Sequence, residues 1–285
     1  MPPSPNRAAR LQWLVLLFML GATLVCATIW GAIALTAGAL AVLVWIAVLG
    51  TEFQRRTGKT LDDLQRRTLD LKRDRDHTLR EIGALMYMYD RLHPAQPLPS
   101  AEEWTVRPDL AARVVSEMLA REAPTVLELG SGVSTVIAAT CAKQHGGRVI
   151  SYDAEQQYAD VTRAMLAERG LQDCAIVHTT PLRETAIGDR RQPWYGIDTE
   201  TLPPRIDILF VDGPPRATAP LARFPALPFL HDRLPEGAVV ILDDGGRKDE
   251  QEIARQWLKL YPDLQPVHIN SRSGAIMLRK TARPA

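Results

Sequence analysis

Glu128, Gly130, Ser131 and Gly132 fall within VLELGSGVST, the stretch from Val126 to Thr135. An apolar run enters a glycine-rich turn there. Such turns usually cradle a nucleotide, because glycine lets the backbone approach a ligand closely. Glu128 stands two residues before the first glycine, where a phosphate would meet a carboxylate. A dinucleotide turn reads G-x-G-x-x-G, with the pyrophosphate on the N-terminus of the next helix. Here Thr135 stands in place of the third glycine. Both features disfavour pyrophosphate and suit a ligand with an adenosine, no phosphate and a positive centre. Asp153 ends the next apolar run, about 20 residues after the glycines, where a carboxylate can accept both ribose hydroxyls. The bland readings are a turn that only lets a helix pack closely and an aspartate that only caps a helix.

Asp212, Asp243 and Asp244 form a second acidic group, just past two further apolar runs, IDILFVDGPP and GAVVILDDGGR. Carboxylates converging in one cleft repel each other unless protons or a cation intervene. A hard divalent ion with oxygen ligands, magnesium above all, is the simplest remedy. Such an ion would lower the pKa of a bound hydroxyl and position its oxygen. Alternatively, Asp212 caps a turn at DGPP and Asp244 caps the following helix. Arg247 can pair with Asp244 or bind an anionic acceptor. Trp194 and Tyr195 wall the acceptor pocket or pack into the domain. The proline-rich stretch from Arg216 to Pro228 reads as a shaped loop over the site.

The elements that must position these residues alternate. Strands are predicted at Thr125–Leu129, Arg148–Asp153, Ala175–His178, Ile206–Asp212, Ala238–Asp243, Pro266–Ile269 and Ala275–Arg279. Helical patterns follow the first, second and fifth. That alternation implies an α/β, doubly wound, mostly parallel sheet. Ligands in such folds sit at the carboxyl ends of the strands, where Glu128, Gly130, Asp153, Asp212, Asp243 and Asp244 collect.

At these residues the chain resembles the class I S-adenosylmethionine-dependent methyltransferases. VLELGSG is similar to the first motif of that family and VISYDAE to the second, with Asp153 as the ribose-binding acid. The resemblance covers roughly Thr125 to Lys280. It implies a Rossmann-like sheet of seven strands whose last strand, GAIMLRK, is antiparallel, inserted beside the fifth and joined to PVHI through Asn270–Gly274. It implies S-adenosylmethionine as cofactor, whose sulfonium and ammonium groups supply the positive centre. Gly130, Ser131 and Gly132 would contact its methionine part, Glu128 would orient the loop or the ammonium, and Thr180 to Leu182 would edge the adenine. The small O-methyltransferases of the catechol and caffeoyl-coenzyme A type hold a metal with Asp, Asp and Asn at these strand ends. Here Asp244 stands where the Asn is found.

Upstream, Leu11 to Gly50 is almost purely apolar, with Gln12 the only strongly polar side chain. As one helix the run would be about 60 Å long, against a bilayer core of roughly 30 Å. It fits two spans, turning at Trp30-Gly31. Arg7 and Arg10 precede it and Arg55, Arg56 and Lys59 follow, so both ends should face the cytoplasm. A single tilted span and a cleaved signal are the rivals; a signal's apolar region stops after about 15 residues. The expected organisation is a transmembrane hairpin over 1–51, a charged helix over 52–93 and a methyltransferase domain over 94–285. Leu61, Leu64, Thr68, Leu71, Arg75, Thr78, Ile82, Leu85 and Tyr89 make a polar-interrupted heptad seam. It reads either as a coiled coil with a second copy or as a single stalk helix packed on the next domain.

The formal net charge of +1 gives no reason to expect a nucleic-acid partner. Cys26, Cys141 and Cys174 lack metal spacing and fit a reducing compartment. The expectation is therefore a membrane-anchored methyltransferase with a cytoplasmic catalytic domain, acting on a small-molecule or glycan-like hydroxyl. A non-catalytic membrane-tethered scaffold and a nucleotide-dependent oxidoreductase are the alternatives, since fold alone does not fix function.

Overall fold

The computed structural model describes residues 7–99, 106–188 and 190–282. The chain divides into two units, Met1–Arg75 and Asp76–Ala285. In the first, helix α1 (Arg7–Trp30) meets helix α2 (Ala32–Leu92) at Gly31. Gly31 has φ +66°, which glycine adopts without steric cost, so the bend falls where the apolar run was expected to turn. A Cβ added to Gly38 would lie 2.1 Å from Thr23 Cγ2. The two arms therefore approach each other at positions about equally far from the bend, as in a helical hairpin.

Apolar side chains such as Phe18, Leu24, Ile33 and Leu40 face outward on both arms. The few hydroxyls satisfy themselves locally: Thr23 donates to Met19 O at 2.7 Å, Thr28 to Val25 O at 2.7 Å and Thr51 to Val48 O at 2.8 Å. Such back-bonding is what polar groups need where water is absent. α2 contains a stretch long and apolar enough to cross a membrane, and the apolar part of α1 is Gln12–Thr28.

α2 runs unbroken past Thr51 and through the charged segment to Leu92. The helix itself thus carries no boundary at 51. Its last turns belong to the second unit, where Met88 and Leu92 are buried in the core. Tyr89 Oη accepts the Leu98 N–H at 3.1 Å, and Glu81 pairs with Arg272 at 3.6 Å and Arg107 at 3.9 Å.

The second unit is built on a seven-stranded sheet. Its strands are β1 (Thr125–Leu129), β2 (Arg148–Asp153), β3 (Ala175–Thr179), β6 (Ile208–Val211), β7 (Val239–Leu242), β8 (Leu264–Val267) and β9 (Ile276–Lys280). Their order is β3-β2-β1-β6-β7-β9-β8. The pairs from β3 to β7 are parallel, and β9 is antiparallel to both β7 and β8. This is the doubly wound, Rossmann-like sheet that was expected, with its antiparallel strand in the expected place. Every residue of β1, β6 and β7 is buried, as parallel strands covered on both faces should be.

Alternate residues feed two cores. Val126, Val149, Phe210 and Ile241 pack against α3 (Pro108–Leu119), α4 (Val133–His145) and α5 (Gln156–Glu168). Leu127, Ile150, Leu209 and Val240 pack against α6 (Ala226–Leu230) and α7 (Lys248–Leu260). Several elements lie outside the expected set, among them the short helix α6. α3 opens with Pro108, and an antiparallel pair, β4 (Leu182–Ile187) and β5 (Arg190–Tyr195), forms a separate sheet.

Candidate active site

The chain order leaves β1 between β2 and β6, so a crevice opens at the carboxyl ends of these strands. The glycine turn lies in it. Gly130 has φ +99°, and its added Cβ would lie 3.3 Å from the Asp212 backbone, so a side chain there would be strained and would crowd that backbone. A Cβ on Gly132 would meet nothing within 4 Å; the turn presents an open cradle on that side.

The period-2 alternation of β1 puts Glu128 on the same face as Val126, toward α4. Its carboxylate is buried and accepts the hydroxyls of Ser134 and Thr135. Burial pushes its pKa up to about 7, against the pull of those hydroxyl bonds. Thr135 Oγ1 also accepts the Gly132 N–H at 3.0 Å. The residue that replaces the third glycine thus fastens the turn to Glu128, and Glu128 orients the loop from beneath.

Asp153 closes the other side. Its Oδ2 accepts Ser131 N–H at 2.9 Å and Ser131 Oγ–H at 2.6 Å, while Oδ1 accepts Glu155 N–H at 3.0 Å. The Asp153 carbonyl takes the Thr180 N–H at 2.6 Å. Glu128, Gly130, Ser131, Gly132, Asp153 and Thr180 are therefore brought together around the turn. Leu182 begins β4, opposite Tyr195 on β5, and is partly buried against the second core.

Tyr195 and Trp194 are both buried. Trp194 is a core residue and not an exposed wall. The Tyr195 hydroxyl lies against Gly213, where an added Cβ would come within 2.1 Å of it. Its pKa is raised by burial first and then by Asp153, with Arg223 opposing.

Asp212, Asp243 and Asp244 lie just past the ends of β6 and β7. The cation among them is Arg223. Its Nη2 donates to Asp212 O at 3.0 Å and Asp212 Oδ1 at 3.1 Å, and lies 3.1 Å from Asp244 Oδ2. Its Nη1 donates to Asp243 O at 3.0 Å. Asp243 Oδ1 takes the Asp244 N–H at 2.6 Å, and Arg247 pairs with Asp244 at 2.7 Å. Asp244 has φ +59°, a conformation that Asp and Asn tolerate better than most residues.

Among the described residues, no group of three or more His, Cys, Asp or Glu is arranged to hold a metal ion. Magnesium at Asp212, Asp243 and Asp244 stays an expectation; the carboxylate oxygens there accept from guanidinium and backbone donors. Asp212 keeps a partly exposed side chain, 29% accessible. Burial pushes its pKa up to about 8, with Arg223 drawing it back. Arg223 carried no signal in the sequence; it is one arginine inside PLARFPALP.

Residues 127–245 match the family model described as a methyltransferase domain. No curated protein matches the chain at significant similarity. Among solved structures, the methyltransferase PaMTH1 of Podospora anserina, bound to S-adenosylhomocysteine, is 14% identical; the match covers 74% of this chain and 95% of that one with a TM-score of 0.52. Rv0187 from MTB, in cofactor-bound form, is 21% identical over 72% of this chain and 90% of its own, with a TM-score of 0.46. An O-methyltransferase from Bacillus cereus, also with S-adenosylhomocysteine, is 17% identical over 70% and 90%, with a TM-score of 0.47.

Proposed function

The C-terminal domain is a class I S-adenosylmethionine-dependent methyltransferase, and from that premise we propose that the chain is a membrane-anchored enzyme that methylates a hydroxyl oxygen of a small-molecule or glycan-like acceptor. The observation that carries this reading is the linked turn: Asp153 bonded to Ser131, Glu128 buried beneath, and Gly132 open above. S-adenosylmethionine supplies an electrophilic methyl group and leaves as S-adenosylhomocysteine. In this reading Asp153 takes the ribose hydroxyls, the turn from Gly130 to Gly132 takes the methionine part, and Thr180 and Leu182 flank the adenine.

Asp212 sits beside Gly130 at the end of β6 and acts as the general base. It takes the proton of the acceptor hydroxyl, so that the oxygen can attack the methyl carbon in line. A base must be ionised to work, and its pKa is near 8; the rate should therefore rise with pH toward that value. Asp243 and Asp244 hold the floor of the site.

The apolar hairpin with Arg7 and Arg10 on one side and Arg55, Arg56 and Lys59 on the other supports anchoring in the cytoplasmic membrane, with residues 94–285 in the cytoplasm. The test is a screen of hydroxylated acceptors with methyl-labelled cofactor and the full chain in lipid nanodiscs. Label on oxygen is expected, and Asp212→Asn should lower the rate by about 10²-fold or more. Label on nitrogen or carbon alone, or an Asp212→Asn variant as fast as the parent, would remove the O-methylation mechanism.

A further inference from the structure

Three carboxyl groups gather past two neighbouring strand ends, and this chain supplies them a cation from its own sequence. The Arg223 side chain is 5% accessible. It bridges the carbonyls of Asp212 and Asp243, the first residues past β6 and β7, and two carboxylates, those of Asp212 and Asp244. A hard dication would take the same kinds of oxygen. Magnesium, however, demands ligands near 2.0–2.1 Å in octahedral array, and here the oxygens stand at hydrogen-bond distances of 3.0 to 3.1 Å from a planar fork.

The segment that carries Arg223 is held in place from several sides. Leu221 has φ +53°, a left-handed conformation that disfavours a leucine and persists only when its surroundings enforce it. Ala222 and Phe224 are buried on either side of the arginine. Trp257 Nε1 on α7 donates to Phe224 O at 2.9 Å, and Gln192 on β5 reaches Ala222 O at 3.4 Å. The fold thus fixes a permanent positive charge that never deprotonates between the two strand ends.

We propose that Arg223 is a positioning residue that stands in for a divalent ion: it holds Asp212 and Asp244 in the acceptor site, makes methyl transfer independent of metals, and masks a cluster that binds a divalent cation once the guanidinium is removed. The role at the acceptor rests on the reading of Asp212 as the base. The masking does not, since it concerns the oxygens alone.

The test uses Mn2+ as probe with the full chain in nanodiscs, read by the paramagnetic resonance of free and bound ion. The parent should bind no Mn2+ at the aspartates and should transfer methyl at the same rate in EDTA. Arg223→Ala should bind one Mn2+. It should lose about 10²-fold in rate, the scale of a misplaced reacting group, and regain most of it with Mg2+ or Mn2+. Arg223→Gln carries the same test if the alanine variant does not fold. Two results would overturn the proposal: a parent that binds Mn2+ and is silenced by EDTA, or neutral variants that bind no Mn2+. The binding measurement needs no acceptor, so it stays decisive even where O-methylation fails.

Discussion

Glu128 shows how one buried carboxyl couples folding, ligand charge and pH. Its folded pKa is near 7, above the ordinary 4.5. A raised acid favours the protonated folded state, so its contribution to stability falls as pH rises from about 4.5 to about 7 and is flat beyond. A cationic cofactor above the turn pulls the same group toward ionisation. Binding of S-adenosylmethionine near pH 7 should therefore release protons, and affinity should rise with pH through that region. Calorimetry in two buffers of different ionisation enthalpy measures the release. Glu128→Gln should abolish it; an unchanged release would assign the proton elsewhere. At this scale the glycines, Glu128 and Asp153 were legible because their spacing is part of the chemistry. Thr135 was read as a lost glycine, though it proves to be a hydrogen-bonding partner. Arg223 was illegible because its partners lie 11 and 20 residues away at two strand ends, and no local pattern records that.

Elements were legible in proportion to their apolar content. β1 and β2 begin and end where the alternation placed them. The β4–β5 hairpin was missed because LRETAIGDRRQPWY is rich in exposed charge. Its signal was Gly188-Asp189 between two alternating runs; Ile187 pairs with Arg190 across it. The stalk seam has a simple reading. A parallel second copy in that register would set Arg67 against Lys72, a like-charged pair of the kind that disfavours coiled-coil pairing. At its end the same helix buries Met88 and Leu92 in the catalytic unit. The apolar arms carry a prediction of topology. Reporters fused after Arg10 and after Lys59 should give the same side of the membrane, whereas opposite sides would turn the hairpin into a single span.

At the scale of the molecule, an apolar hairpin precedes a methyltransferase sheet whose crevice gathers the glycine turn with Asp153 and an acidic cluster joined by Arg223. The doubly wound layout was readable because strand and helix patterns alternate and polar residues collect at the strand ends that such a sheet brings to one edge. The filling of the cluster was not, since it depends on a loop folded back across that edge. The central claim is that the crevice holds S-adenosylmethionine through Asp153, and one titration tests it: calorimetric binding of the cofactor to the full chain in nanodiscs, for the parent and for Asp153→Ala. A single site is expected, weakened in the variant by about 1.5–3 kcal/mol, the range for hydrogen bonds to a charged group, and indifferent to added NAD. A parent that does not bind S-adenosylmethionine, a site emptied by NAD, or an Asp153→Ala variant of unchanged affinity would contradict it.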